Sequence, residues 1–134
     1  MTQPIESVVD EFRSSRISFD EALRLYRVLL RETGGEYGFV SEGTLRYIVD
    51  SLDSKRGDIF AKAAYVIHGI ATKHPLVNGN KRLAFALGAF ILRTEGFDLS
   101  VGREETVPLM LRLAKGEMSR KALEPWLRSK SKKI

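Results

Sequence analysis

Cysteine is absent from the 134 residues, which excludes disulfides, thiolate zinc sites, iron–sulfur clusters and cysteine nucleophiles together. Tryptophan occurs once, at Trp126, and no row of aromatics interleaves with the basic residues. That argues against a base-stacking nucleic-acid platform. The longest stretch without a polar side chain, residues 83–92, is ten residues long, about half of what a membrane-spanning helix needs. The first residues, MTQPIESVVDEF, are acidic and lack the charged-then-apolar order of an export signal. A cytoplasmic protein with no membrane partner is expected. Apolar residues make up 43% and charged residues 29%, which suits a single globular core at this length. One domain is expected over residues 1–127, followed by a basic, flexible tail over residues 128–134 that holds four basic residues in its first six.

Charge is divided unevenly. Residues 1–60 carry 8 Lys/Arg against 11 Asp/Glu, whereas residues 61–134 carry 14 against 6, so the net +5 arises wholly in the second part. The basic part either faces an anionic partner or is simply solvated; a nucleic-acid binder working through the tail is the least favoured reading.

Helical periodicity dominates. Ile5, Val8, Val9 and Phe12 have the spacing of a short helix, and Phe19, Ala22, Leu23, Tyr26, Leu29 and Leu30 that of a longer one. Ser18 with Glu21 three residues on forms a capping box, and Gly34-Gly35 ends the helix. Residues 36–40 (Glu-Tyr-Gly-Phe-Val) read as an exposed strand or flap. Ser41 and Asp58 each open a further helix, the second running to about Lys73. A loop, residues 74–79, precedes a helix from Asn80 that is apolar on nearly every face, which predicts burial on every face and a central place in the fold. Gly96 stops it, a short strand is expected over residues 97–101, and helices over 104–115 and 119–128 close the chain. The fold class is all-α: a compact bundle around a buried central helix, with room for a small β-hairpin flap.

The chemistry concentrates in His74-Pro-Leu-Val-Asn-Gly-Asn-Lys-Arg82. Its polar residues crowd the N-terminus of the buried helix, where the first amides are unpaired and the macrodipole presents about +0.5 charge. Gly79 permits close backbone approach, and Lys81 and Arg82 add two cations. Such a helix start is an anion site without the usual phosphate-loop sequence, and His74 stands beside it as a base. The same residues also suit an ordinary Asn-Gly turn with a solvent-facing Lys-Arg pair. Cations at a helix N-terminus are unfavourable unless an anion lies there, which favours the anion site.

The segment resembles the signature loop of the Fic/Doc family. The Fic pattern is H-x-F-x-[D/E]-[G/A]-N-G-R-x-x-R, the Doc branch reads H-P-F-x-D-[G/A]-N-K-R-T-A, and this chain has H-P-L-V-N-G-N-K-R-L-A. Lys81 in place of Gly, and Phe85 where a second Arg would stand, align it with the Doc toxins. Residues 61–64 (Ala-Lys-Ala-Ala) resemble the family's helix before the loop and residues 43–47 (Gly-Thr-Leu-Arg-Tyr) a loose version of its earlier G-x-L helix start, and the likeness covers about residues 40–100. It implies a Fic-fold helical bundle. It also implies transfer of the terminal phosphate of ATP, with Mg²⁺, to a hydroxyl of elongation factor Tu, arresting translation. His74 would be the base, Gly79, Asn80, Lys81 and Arg82 the phosphate cradle, and Asn78 would stand at the metal-ligand position. Tyr37 and Phe39 would belong to a target-docking flap, and a small antitoxin would act in trans. An inactive nucleotide-binding module and an AMP-transferring enzyme are the alternatives.

Two positions depart from the pattern. Leu76 replaces Phe, one apolar anchor for another. Asn78 replaces the acidic residue, so the motif keeps an oxygen ligand and loses a full negative charge that Mg²⁺ prefers.

Overall fold

The computed structural model describes residues 17–134. The short helix expected around Ile5, Val8, Val9 and Phe12 lies outside the described residues. Helix α1 (Phe19–Thr33) begins at Ser18, whose hydroxyl accepts the Glu21 N–H at 3.1 Å. It ends at Gly34, which turns the chain with φ 82°. Ser41 caps α2 (Glu42–Asp50), which runs into a 3₁₀ turn over Ser51–Ser54. Asp58 caps α3 (Ile59–Lys73) by accepting from the amides of Phe60 and Ala61. Helix α4 covers Asn80–Thr94, β1 Phe97–Leu99, α5 Arg103–Ala114, α6 Arg120–Lys130 and β2 Ser131–Lys133. Among the described residues the fold is therefore helical with one small antiparallel sheet. No described helix is long and apolar enough to cross a membrane.

Helix α4 is buried along Leu83, Ala84, Ala86, Leu87, Gly88, Phe90, Ile91 and Leu92, as its apolar circumference predicts. Phe85 and Ala89, one turn apart, stay half-buried. The central place is shared: α3 and α4 pack along each other, α1 and β1 lie against α4, and α2, α5 and α6 lie against α3. This pairing puts the connection between α3 and α4, the polar loop 74–79, at one end of the core.

The C-terminal residues are not the flexible tail that their composition suggests. Residues 128–130 finish α6, and β2 pairs antiparallel with β1 in the register Phe97↔Lys133, Asp98↔Lys132 and Leu99↔Ser131. Three of the four basic side chains have partners drawn from distant sequence. Arg128 pairs with Asp58 at 2.5 Å and sits 4.5 Å over the Phe60 ring. Lys130 reaches Glu105, and Lys133 lies over Phe97. Arg128's hydrogen bond, followed by the Ala61 amide, holds the Asp58 carboxyl below its ordinary range. The sheet thus forms at the chain's end and not as a hairpin flap. Residues 36–40 pair elsewhere.

Candidate functional site

Helix α3 ends on an unusual residue. His74 takes the left-handed conformation (φ 48°, ψ 57°), the one non-glycine among the described residues with positive φ, and its N–H closes the helix on Ile70 O at 3.1 Å. Such a conformation carries a backbone cost for a non-glycine residue. It reverses the chain and leaves the imidazole exposed at the start of the loop. Two residues on, Leu76 is 1% exposed, so it fills the anchoring role expected of the family's Phe. Burial leaves the Leu76 backbone groups needing partners. Asn80 supplies both: its Oδ1 accepts the Leu76 N–H and its Nδ2 donates to the Leu76 carbonyl, each at 2.9 Å.

Gly79 opens α4 with φ 89° and gives it no side-chain cap. The first helical bond runs from Leu83 N–H to Gly79 O at 2.8 Å. The positive φ favours glycine here, and a Cβ would also press within 3.3 Å of both Leu30 Cδ2 and Tyr26 Cε1. Lys81 is exposed, and its ammonium has no ion-pair or hydrogen-bond partner among the described residues. Arg82 does have partners: Nη1 donates to Gly34 O at 2.8 Å and to Thr33 Oγ1. Its charge thereby meets the carbonyl end of α1, where a cation is favourable. The mismatch of Arg82 with its own helix start is relieved by another helix. Nε and Nη2 have no part in those bonds, and one N–H of the Asn80 amide has none in the bond to Leu76, so among the described residues these donors stay available.

The flap is a neighbour of the loop. Residues 36–40 lie alongside residues 75–78: Val40 and Ser41 donate to Pro75 O at 2.8 and 3.0 Å, Val77 donates to Gly38 O at 2.9 Å, and Phe39 and Leu76 form a β-bridge. Asn78 joins the same seam, its Oδ1 accepting the Glu36 N–H at 2.7 Å. Tyr37 and Phe39 meet edge to face at 5.6 Å; Phe39 is half-buried, and Tyr37 stacks on Tyr26. The structure therefore brings His74, the start of α4 with Lys81, and the flap to one end of the core.

Mg²⁺ favours carboxylate oxygens in near-octahedral geometry. At the position where the family implies a metal ligand, this chain offers an amide oxygen already held by a backbone N–H. Among the described residues no group of three or more His, Cys, Asp or Glu could hold a metal. These residues do not fit a protein-held Mg²⁺. His68, six residues before His74, belongs to a different place. Burial first, and then the Arg120 charge, lower its basicity, against a backbone hydrogen bond with Met118. It packs between α3 and the start of α6, away from the loop.

Sequence reasoning missed Tyr26 and the α1 end at Thr33–Gly34. Tyr26 sits in the apolar stripe of α1 and is fully buried, yet a buried phenol requires a partner. That requirement was the available signal. No curated protein matches the chain. The family model described as Fic/DOC family matches residues 16–92, more than half of the chain. The match takes in α1, the flap, the loop and nearly all of α4, the elements that build this site. The chain belongs to the Fic/DOC family.

Proposed function

We propose that this protein is a Doc-like toxin that transfers the terminal phosphate of ATP to a hydroxyl of a translation factor of the elongation factor Tu class. It would work in the cytoplasm under the control of a small antitoxin. The observation that carries this reading is the exposed imidazole of His74, held by a sharp helix end beside the uncapped start of α4 and the exposed Lys81. The amides opening α4, the Lys81 ammonium and the remaining N–H groups of Arg82 and Asn80 receive the phosphates. His74 takes the proton of the acceptor hydroxyl. The acceptor oxygen then bonds to the terminal phosphorus, the bond to the bridging oxygen breaks, and ADP leaves with that electron pair. The AMP-transferring alternative differs only in which phosphorus is attacked.

One observation favours a second reading, a nucleotide-binding module without fast transfer. Asn78 gives no negative charge, and its oxygen ties down the flap. One charge pair at about 4 Å is worth roughly 4 kcal/mol at an effective dielectric near 20, or on the order of 10²–10³ in rate. Incubation of the chain with elongation factor Tu and ATP labelled separately at the α- and γ-phosphate decides among these readings. The proposal predicts γ-label on the target. It further predicts that Asn78→Asp, which keeps the acceptor for Glu36 N–H and adds a carboxylate, raises the transfer rate at least about tenfold in the presence of Mg²⁺. Transfer of α-label alone would support AMP transfer. No label on the target from wild type or Asn78→Asp, where a Doc control labels it, would overturn the proposal.

A further inference from the structure

We infer that Tyr26 is a positioning residue, whose buried phenol fixes the flap (residues 36–40) against the signature loop and so sets where an acceptor lies relative to His74. Tyr26 projects from the buried stripe of α1 and is 0% exposed. Its hydroxyl lies between the two segments. It stands 2.9 Å from Asn78 O in the loop and 3.2 Å from Gly38 O in the flap, and it accepts the Gly38 N–H at 3.3 Å. One proton serves the two carbonyls, with the shorter approach to Asn78, while the lone pairs take the Gly38 amide. Its ring is used as well: it stacks on Tyr37 at a centroid distance of 5.0 Å and lies 6.1 Å from Phe39, tilted. Ring atom Cε1 abuts Gly79, where a Cβ would come within 3.3 Å.

A single side chain thus touches residues 37, 38 and 39 of the flap and residues 78 and 79 of the loop. The two backbone bonds between flap and loop, with a third from Ser41, leave open how firmly that pair is held to the body of the protein. Tyr26 joins both to α1, and a ring locked by packing on a rigid helix is a precise support for a site built on loops. The apolar stripe of α1 could be filled by Phe at this position at no loss of packing. The hydroxyl is the part that the flap and loop use.

Tyr26→Phe tests the inference, because it removes the hydroxyl and keeps the ring. Tyr65→Phe is the control: it removes a hydroxyl that bonds to Ser51 at 2.5 Å, away from the loop. Amide hydrogen exchange on the full chain reads the result at Val40, whose acceptor Pro75 O bonds to neither hydroxyl, and at Val77, whose acceptor Gly38 O also receives the Tyr26 hydroxyl. Exchange at both amides is expected to speed up at least tenfold in Tyr26→Phe relative to core amides such as Leu87, and to stay at the wild-type value in Tyr65→Phe. Unchanged protection at Val40 and Val77, or an equal rise through the whole core, would overturn the positioning role.

The consequence for the acceptor rests on the transfer activity proposed above. There Tyr26→Phe is expected to raise KM for the protein acceptor about tenfold and to leave KM for ATP within twofold. Equal effects on both, or none, would overturn that part. A wild-type protein without transfer would sink the proposed function, and the exchange data would still decide the role of Tyr26.

Discussion

On the proposed function, replacing His74 with Asn is expected to lower phosphoryl transfer by about 10²–10⁴-fold, the usual contribution of a positioned general base, and to remove growth arrest on induction. Asn is the right replacement because His74 holds φ 48° at the end of α3, and Asn tolerates the left-handed region better than other non-glycine residues. The imidazole is exposed, so stability should change by no more than about 0.5 kcal/mol, as for most surface substitutions. Single-turnover transfer rates and thermal unfolding of both proteins check the two halves. A His74→Asn protein with the wild-type rate would remove His74 from the chemistry. A large fall in Tm would mean that the rate measured folding.

A second large effect falls on the core that carries the loop. Gly88 lies where α4 crosses α3, and a Cβ there would stand 2.3 Å from Ile67 Cδ1 and 2.5 Å from its Cγ1. Ile67 is 0% exposed and β-branched, so it has little freedom to withdraw. Helix propensity alone would make Gly88→Ala stabilising by about 1 kcal/mol. Overpacking opposes it with roughly 1–3 kcal/mol and, at a contact this short in a rigid site, prevails. Gly88→Ala is expected to lower Tm by on the order of 5–10 °C. Combining it with Ile67→Ala, which opens space at the same spot, should cost less than the two separate losses added together. A Gly88→Ala protein with unchanged or raised Tm would show that α3 and α4 do not approach as closely as described.

Local physics made much of this architecture readable. Ser18, Ser41 and Asp58 each cap the helix that they precede, because a side-chain oxygen one position before an apolar stripe has few better uses. The uninterrupted apolar run of α4 predicted its burial, and Leu76 is the anchor expected at the family's Phe position, while its apolar neighbour Val77 stays exposed. What escaped depends on partners far along the chain. Nothing near Arg82 in sequence signals the carbonyl of Gly34, 48 residues earlier, as its acceptor. The basic C-terminal residues are ordered by Asp58, Glu105 and β1, which a reading of local composition does not join to them. Asn78 reads from sequence as a weakened metal ligand, whereas its side chain closes the seam with Glu36. In each case a long-range contact redirected a side chain whose type was plain from the start.

The proposed function requires that the opening of α4, with Lys81 and beside His74, receives nucleotide phosphate. Titrating the full, isotope-labelled chain with ADP while following its backbone amides tests this directly. The largest shifts are expected on Gly79, Asn80, Lys81 and Arg82, with His74 close behind, and Lys81→Ala is expected to weaken binding about tenfold or more. Shifts gathered instead around the open cleft on α2 formed by Gly43, Arg46, Tyr47, Asp50 and Ser51, or no shifts at millimolar ADP, would contradict it.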